Sequence, residues 1–149
     1  YRAYFVEKGM FENSLYDGIG ELLTALRRSG KTLAVATSKP EPFAVKILEH
    51  FGIADRFAYI AGGTLDETRT KKAEVIRYAL ERLGIPSGLS AVMVGDRKYD
   101  IVGARGVGIA SIGVLYGYGT RAELSEAGAP FLAADIAELG SLLMPERVP

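Results

Sequence analysis

The chain has 149 residues, enough for one domain with a sizeable core. Lys and Arg together number 18, as do Asp and Glu, so no net charge points to nucleic acid or a membrane surface. Cysteine is absent and histidine occurs once, at His50, which excludes disulfide staples and the usual His/Cys zinc sites and accords with a reducing, cytoplasmic setting.

Residues 1–16 are aromatic-rich, with Tyr1, Tyr4, Phe5, Phe11 and Tyr16 interrupted by Gly9 and Asn13. They read as a helix plus linker that packs against something other than the main sheet. Asp17 is placed to cap a helix with Ile19, Leu22, Leu23 and Leu26 on one face, closed by Gly30. Thr32 to Ala36 reads as a short buried strand ending in Thr37 and Ser38. Pro40 and Pro42 suit the first turn of a helix carrying Phe43, Ile47, Leu48 and Phe51, with His50 near its C-terminus and Gly52 after it. A weaker strand, Phe57 to Ala61, runs into Gly62 and Gly63. The next helix starts near Lys72, carries Val75, Ile76, Ala79, Leu80 and Leu83, and stops at Gly84. Strand 91–94 follows, then a helix through Val102 and a strand over 109–115. A loop with Gly117 and Gly119, a short helix near 121–127, a strand at 130–133 and a helix from Asp135 complete the chain. No apolar stretch approaches the length of a membrane span, and no signal peptide is visible.

The strands are continuous apolar runs separated by helices. That pattern predicts a doubly wound α/β domain, a parallel sheet covered on both faces. Ligands of such sheets collect beyond the carboxyl ends of the strands. Three polar signals stand there. Thr37 and Ser38 offer a hydroxyl and backbone N–H groups at a helix start, suited to a phosphate; the ordinary alternative is a helix cap. Lys72, preceded by Lys71, opens a helix where a cation opposes the macrodipole. Asp96 and Asp100, in "VGDRKYD", supply hard oxygen ligands suited to magnesium, or else a cap and a surface charge. Together they predict a site for a metal and phosphoryl oxygens.

"VATSKP", the lysine of "TKKAEVI" and "VMVGDRKYDIVGA" resemble motifs two, three and four of the haloacid dehalogenase-like superfamily, with its Rossmann-like core. The likeness is to the branch of phosphoglycolate phosphatases and bacterial 5′-nucleotidases, and it continues through "GVGIASIGVLYGYG" and "AGAPFLAADIAEL". The resemblance implies a Mg2+-dependent hydrolase of a small phosphorylated metabolite, acting through an aspartyl-phosphate. Thr37 would donate its hydroxyl to the transferring phosphoryl group beside the Ser38 N–H; Lys39, next to it, either meets the leaving group or is a solvated lysine at a helix start. Lys72 would neutralise the phosphoryl oxygens, Asp96 would bind magnesium, and Asp100 would hold the site through the lysine or water. No nucleic acid or membrane partner is implied.

The family's first motif, DxDx[TV], which carries the nucleophile, has no match: Asp17 lacks a preceding strand and Asp66 sits in "TLDETRT". By resemblance, Tyr1 to Phe11 is similar to the last helix of an α-helical cap. The expectation is a cap remnant and linker over 1–16, and over 17–149 a core lacking its central first strand. A segment carrying that strand, or an equivalent, would be needed to complete the sheet, and this stretch alone is expected to be inactive. A response-regulator receiver also uses Asp, Thr/Ser, Lys and magnesium, but there the acids precede the threonine and lysine. A noncatalytic phosphate-binding module is the other alternative. Tyr116 and Tyr118 either wall a pocket or cover the sheet edge, and Arg69 either reaches a substrate anion or is a surface charge.

Overall fold

A computed structural model describes residues 3–6, 16–85 and 91–145. Its elements run β1 (Ala3–Val6), α1 (Ile19–Arg28), β2 (Thr32–Pro40), α2 (Glu41–His50), a 3-10 turn (Ala54–Arg56), β3 (Tyr59–Gly63), α3 (Lys72–Leu83), β4 (Ala91–Gly95), α4 (Lys98–Val107), β5 (Ala110–Val114), α5 (Arg121–Glu126), β6 (Phe131–Ala133) and α6 (Ile136–Leu143). The strands form one sheet in the order β3-β2-β1-β4-β5-β6, and every pair is parallel. The doubly wound α/β architecture expected from the sequence is the one observed.

Within each apolar strand the side chains still alternate between two buried faces. Leu33, Val35, Val92, Val94, Ile112 and Val114 meet Leu23 and Leu26 of α1, Leu48 of α2 and Leu139 of α6. Ala34, Ala36, Ala61, Ala91 and Met93 meet Val75, Ile76 and Ala79 of α3 and Ala104 of α4. The second face is rich in alanine, which lets α3 and α4 lie close to the strands and to each other. Helices α3 and α4 end at Gly84 and Gly108, at φ 67° and 86°. These left-handed residues let Ile85 and Ile109 donate back to Leu80 and Ala104, closing the helix ends while feeding the next apolar run into the core.

Residues 3–6 differ from the expectation. Ala3–Val6 forms a strand between β2 and β4, in register with Thr32–Val35 on one side and Ala91–Val94 on the other. The sheet therefore does not lack a middle strand. Tyr4, Phe5 and Val6 are residue types that favour strands, and pairing there satisfies two rows of backbone groups that would otherwise be orphaned in the core. The remainder of the expected cap helix and linker, residues 1–2 and 7–15, lies outside the described residues.

Smaller differences follow the same logic. The cap of α1 is Gly18, at φ 88°, with Asp17 in the turn before it. Strand β2 continues through Ser38 and Lys39 to Pro40, with an irregularity in its pairing to β3 between Ala36 and Pro40. Strand β3 takes in Gly62 and Gly63 because nothing larger fits there: a Cβ on Gly62 would lie 2.5 Å from Glu41 Cα, and one on Gly63 2.7 Å from the Ser38 carbonyl.

Candidate active site

The carboxyl ends of β2 and β4 and the N-termini of α3 and α4 meet at one place. Thr37 ends the buried part of β2 at 2% exposure, and its Oγ1 accepts the Lys39 N–H at 3.2 Å. The hydroxyl proton therefore remains available as a donor. Ser38 is exposed and Lys39 half-buried. They lie where the pairing of β2 to β3 is irregular, between Ala36 and Pro40.

Lys72 is the first residue of α3, yet it is buried. Its Nζ lies 2.9 Å from Asp100 Oδ1 and donates to the Ala36 carbonyl at 3.4 Å. It thus spans from α4 to the residue before Thr37. The misfit with the helix dipole is offset by the buried carboxylate and by Glu74, which accepts the Lys71 N–H at 3.0 Å and the Thr70 N–H at 3.3 Å. Those N–H bonds pull the Glu74 carboxyl down. Room for the lysine comes from Gly103, where a Cβ would stand 2.8 Å from Lys72 Cγ. Asp100 spends its other oxygen on the Arg97 N–H at 3.0 Å, closing the first turn of α4. Gly95 lies beneath it, since a Cβ there would fall 2.3 Å from Asp100 Oδ2.

Asp96, 1% exposed, is clasped by the loop after β5. Tyr118 N–H donates to Oδ2 at 2.8 Å and Gly119 N–H to the Asp96 carbonyl at 2.9 Å. A Cβ on Gly117 would come within 2.4 Å of the carboxylate, and one on Gly119 within 2.1 Å of the carbonyl. Burial pushes the Asp96 carboxyl above its ordinary range; the Tyr118 N–H opposes that shift, the Asp100 charge adds to it, and Arg97 opposes it. A buried carboxylate with this little compensation suits a hard cation. Asp100 does not, because both its oxygens are engaged. Among the described residues no three His, Cys, Asp or Glu side chains converge as a metal cage. The fit to Mg2+ is therefore that of one carboxylate holding an ion that keeps water or substrate oxygens as its other ligands.

A buried lysine is thus tied to the strand that carries the threonine, with a clasped aspartate one helical turn from the lysine's partner. The model of the haloacid dehalogenase-like hydrolase family matches residues 2–114. The chain belongs to the haloacid dehalogenase-like hydrolase family. It is 45% identical over 143 residues, 96% of its length, to a 5′-nucleotidase of Pseudomonas aeruginosa. It is 50% identical over 120 residues, 80% of its length, to the tyrosine-protein kinase PtkA of Mycobacterium tuberculosis. The fold of a protein described as a predicted phosphatase, from Clostridium acetobutylicum, superposes with a TM-score of 0.87 at 48% identity over 92% of the chain. The chain spans 64%, 40% and 63% of the lengths of these three.

In this haloacid dehalogenase-like core, Thr37, Lys72, Asp96 and Asp100 all stand at one end of the sheet. Arg69 is half-buried and held by its neighbours. Its Nε donates to the Gly62 carbonyl at 2.9 Å, its guanidinium lies 3.6 Å from the Glu41 carboxylate, and it stacks 3.6 Å over the Tyr78 ring. Glu41 in turn accepts Gly62 N–H and Tyr59 Oη–H, a network that pins the edge strand β3 to the start of α2. Tyr116 is half-buried, packs edge-on to Tyr16 with ring centroids 5.1 Å apart, and burial pushes its hydroxyl up. Tyr118 is 60% exposed; it serves Asp96 through its backbone. His50 ends α2 against Phe51, away from this site.

Sequence reasoning missed the supporting residues. Gly95, Gly103, Gly117 and Gly119 leave space for the charged side chains, and Glu41 and Glu123 anchor the flanking turns. The signal was present in the glycines of "VGDRKYDIVGA" and "LYGYG", which stand where the helix and loop patterns do not require them.

Proposed function

We propose that the protein is a Mg2+-dependent phosphohydrolase acting on a small phosphate monoester, phosphoglycolate-like or nucleoside-monophosphate-like, through an aspartyl-phosphate. The observation that carries this reading is the buried Lys72, held at 2.9 Å by Asp100 and at 3.4 Å by the carbonyl next to Thr37. A fixed ammonium there supplies positive charge where a dianionic phosphoryl group binds, with no reorganisation as charge shifts in the transition state. Thr37 donates its hydroxyl to one phosphoryl oxygen, and Ser38 offers its backbone N–H beside it. Lys39 borders the side from which the alcohol leaves. Mg2+, held by Asp96, would neutralise phosphoryl charge and orient it toward attack. Asp100 touches no substrate; it keeps Lys72 charged and in place. The attacking carboxylate is none of these four residues.

A second reading, phosphoryl transfer to a protein tyrosine, is favoured by the 50% identity to a tyrosine-protein kinase over 80% of the chain. The two differ in the donor, a phosphate monoester or a nucleoside triphosphate, and in the acceptor, water or a phenol. The deciding experiment assays the full-length protein on a set of phosphate monoesters with and without Mg2+, alongside ATP with a tyrosine peptide. Hydrolysis that needs Mg2+ and falls by about 10²–10³ or more in Lys72→Ala supports the first reading. Activity unaffected by Mg2+ or by Lys72→Ala overturns it.

A further inference from the structure

A third carboxylate is committed to the residue beside Asp96. Glu123 Oε2 accepts Arg97 Nε–H at 2.8 Å and the Lys98 N–H at 2.9 Å. Glu123 lies in the first turn of α5, where its own N–H is capped by the Thr120 hydroxyl at 3.1 Å. The loop that clasps Asp96 thus leads directly into the helix that carries Glu123, and a Cβ on Gly119 would be 3.0 Å from Glu123 Oε2. The pair is partly exposed, 41% for Arg97 and 24% for Glu123. At such exposure an ion pair contributes little to stability. Its placement is more informative than its strength: Arg97 directly follows Asp96, and a guanidinium is the cation best shaped to fork onto a carboxylate.

We infer that Glu123 holds the Arg97 guanidinium away from Asp96 and so keeps the Asp96 carboxylate open to a divalent cation. The inference rests on the assignment of Asp96 as the Mg2+ holder and deepens it. Without the Glu123 charge, Arg97 can turn back onto Asp96, whose carboxylate is hydrogen-bonded by the Tyr118 N–H at Oδ2. A guanidinium seated there takes an oxygen the ion needs and repels the ion as well. Glu123 is then a positioning residue, acting on the metal through Arg97.

The test is Mg2+ and Mn2+ binding to the full-length protein, by calorimetry and Mn2+ spin resonance, for the wild type, E123Q, R97Q, the double variant and D96N. E123Q keeps an oxygen for the Lys98 N–H and removes only the charge. Affinity in E123Q should fall about tenfold, the scale of one unit charge acting on a divalent ion across a few ångströms of partly wet protein. R97Q should bind as tightly as the wild type or slightly more so. The double variant should return to within about twofold of R97Q, because the competing cation is gone. A merely structural Glu123 would leave the double variant as weak as E123Q, and that result overturns the inference, as does unchanged binding in E123Q. If the wild type binds neither ion, or if D96N binds as well as the wild type, the Asp96 assignment itself falls and the latch with it.

Discussion

Replacing Asp100 by Asn tests the pair at the centre of the site. The two carboxylate oxygens have separate duties, Lys72 Nζ at 2.9 Å and the Arg97 N–H at 3.0 Å. An amide has one oxygen, so whichever donor receives it, the other faces an NH2 group. Lys72 is 7% exposed and Asp100 2%, so water cannot make up the loss. Removing one partner of a buried pair costs about 3–5 kcal/mol. The surviving amide oxygen and the Ala36 carbonyl at 3.4 Å recover part of that. The expected cost of Asp100→Asn is therefore about 2–3 kcal/mol, a melting temperature lowered by roughly 4–12 °C. Urea denaturation of wild type, D100N and K72M/D100N at neutral pH measures it. The double variant should regain about 1 kcal/mol or more over D100N, since the stranded ammonium is replaced by an apolar side chain of similar length. A D100N cost below about 0.5 kcal/mol, or a double variant no more stable than D100N, would refute the claim that the pair is buried and mutually dependent.

Two further outcomes follow from the geometry. Gly117→Ala places a methyl 2.4 Å from the Asp96 carboxylate and should cost about 1–3 kcal/mol and weaken Mg2+ binding. Gly106→Ala, whose methyl would meet only Ala73 Cβ at 3.8 Å, should gain up to about 1 kcal/mol of helix stability and leave Mg2+ binding unchanged; melting curves and Mg2+ titrations of both compare them. The pH dependence of Asp96→Asn is the second. Because burial raises the Asp96 carboxyl above its ordinary value of 3.8, the folded protein holds a proton there that the unfolded chain has released. Charge at Asp96 therefore subtracts stability as pH rises through that window, and the loss persists above it. Without divalent cations D96N should be more stable than the wild type at pH 7, with the difference closing as pH falls toward the ordinary value. Denaturation across that range decides it, and a difference independent of pH defeats the assignment.

The alternation of apolar runs with amphipathic segments made the sheet-and-helix layering readable, because burial on both faces leaves a continuous hydrophobic strand. The three polar signals were readable for a related reason. Lys72 stands against a helix dipole, and Asp96 and Asp100 end an apolar run, so each breaks a local preference. Residues 3–6 were misread: their strand-favouring types were set aside because the run is short and no turn signal bounds it, and the gap between β2 and β4 that they fill is visible only in the fold. Arg69 was unreadable for the same kind of reason. Its partners, Glu41, Gly62 and Tyr78, come from three elements distant in the chain.

What the sequence by itself determined is the set of chemical types and their order: a threonine, a lysine and two aspartates, each past a strand or at a helix start. What only the tertiary structure decided is how their charges are shared. Asp100 belongs to Lys72 and the α4 turn, and Asp96 is held by the loop after β5. The reason is distance. Hydrogen bonds and ion pairs act over about 3–4 Å, and which groups come that close depends on how α3, α4 and the loop after β5 pack against one sheet end. No local pattern encodes that.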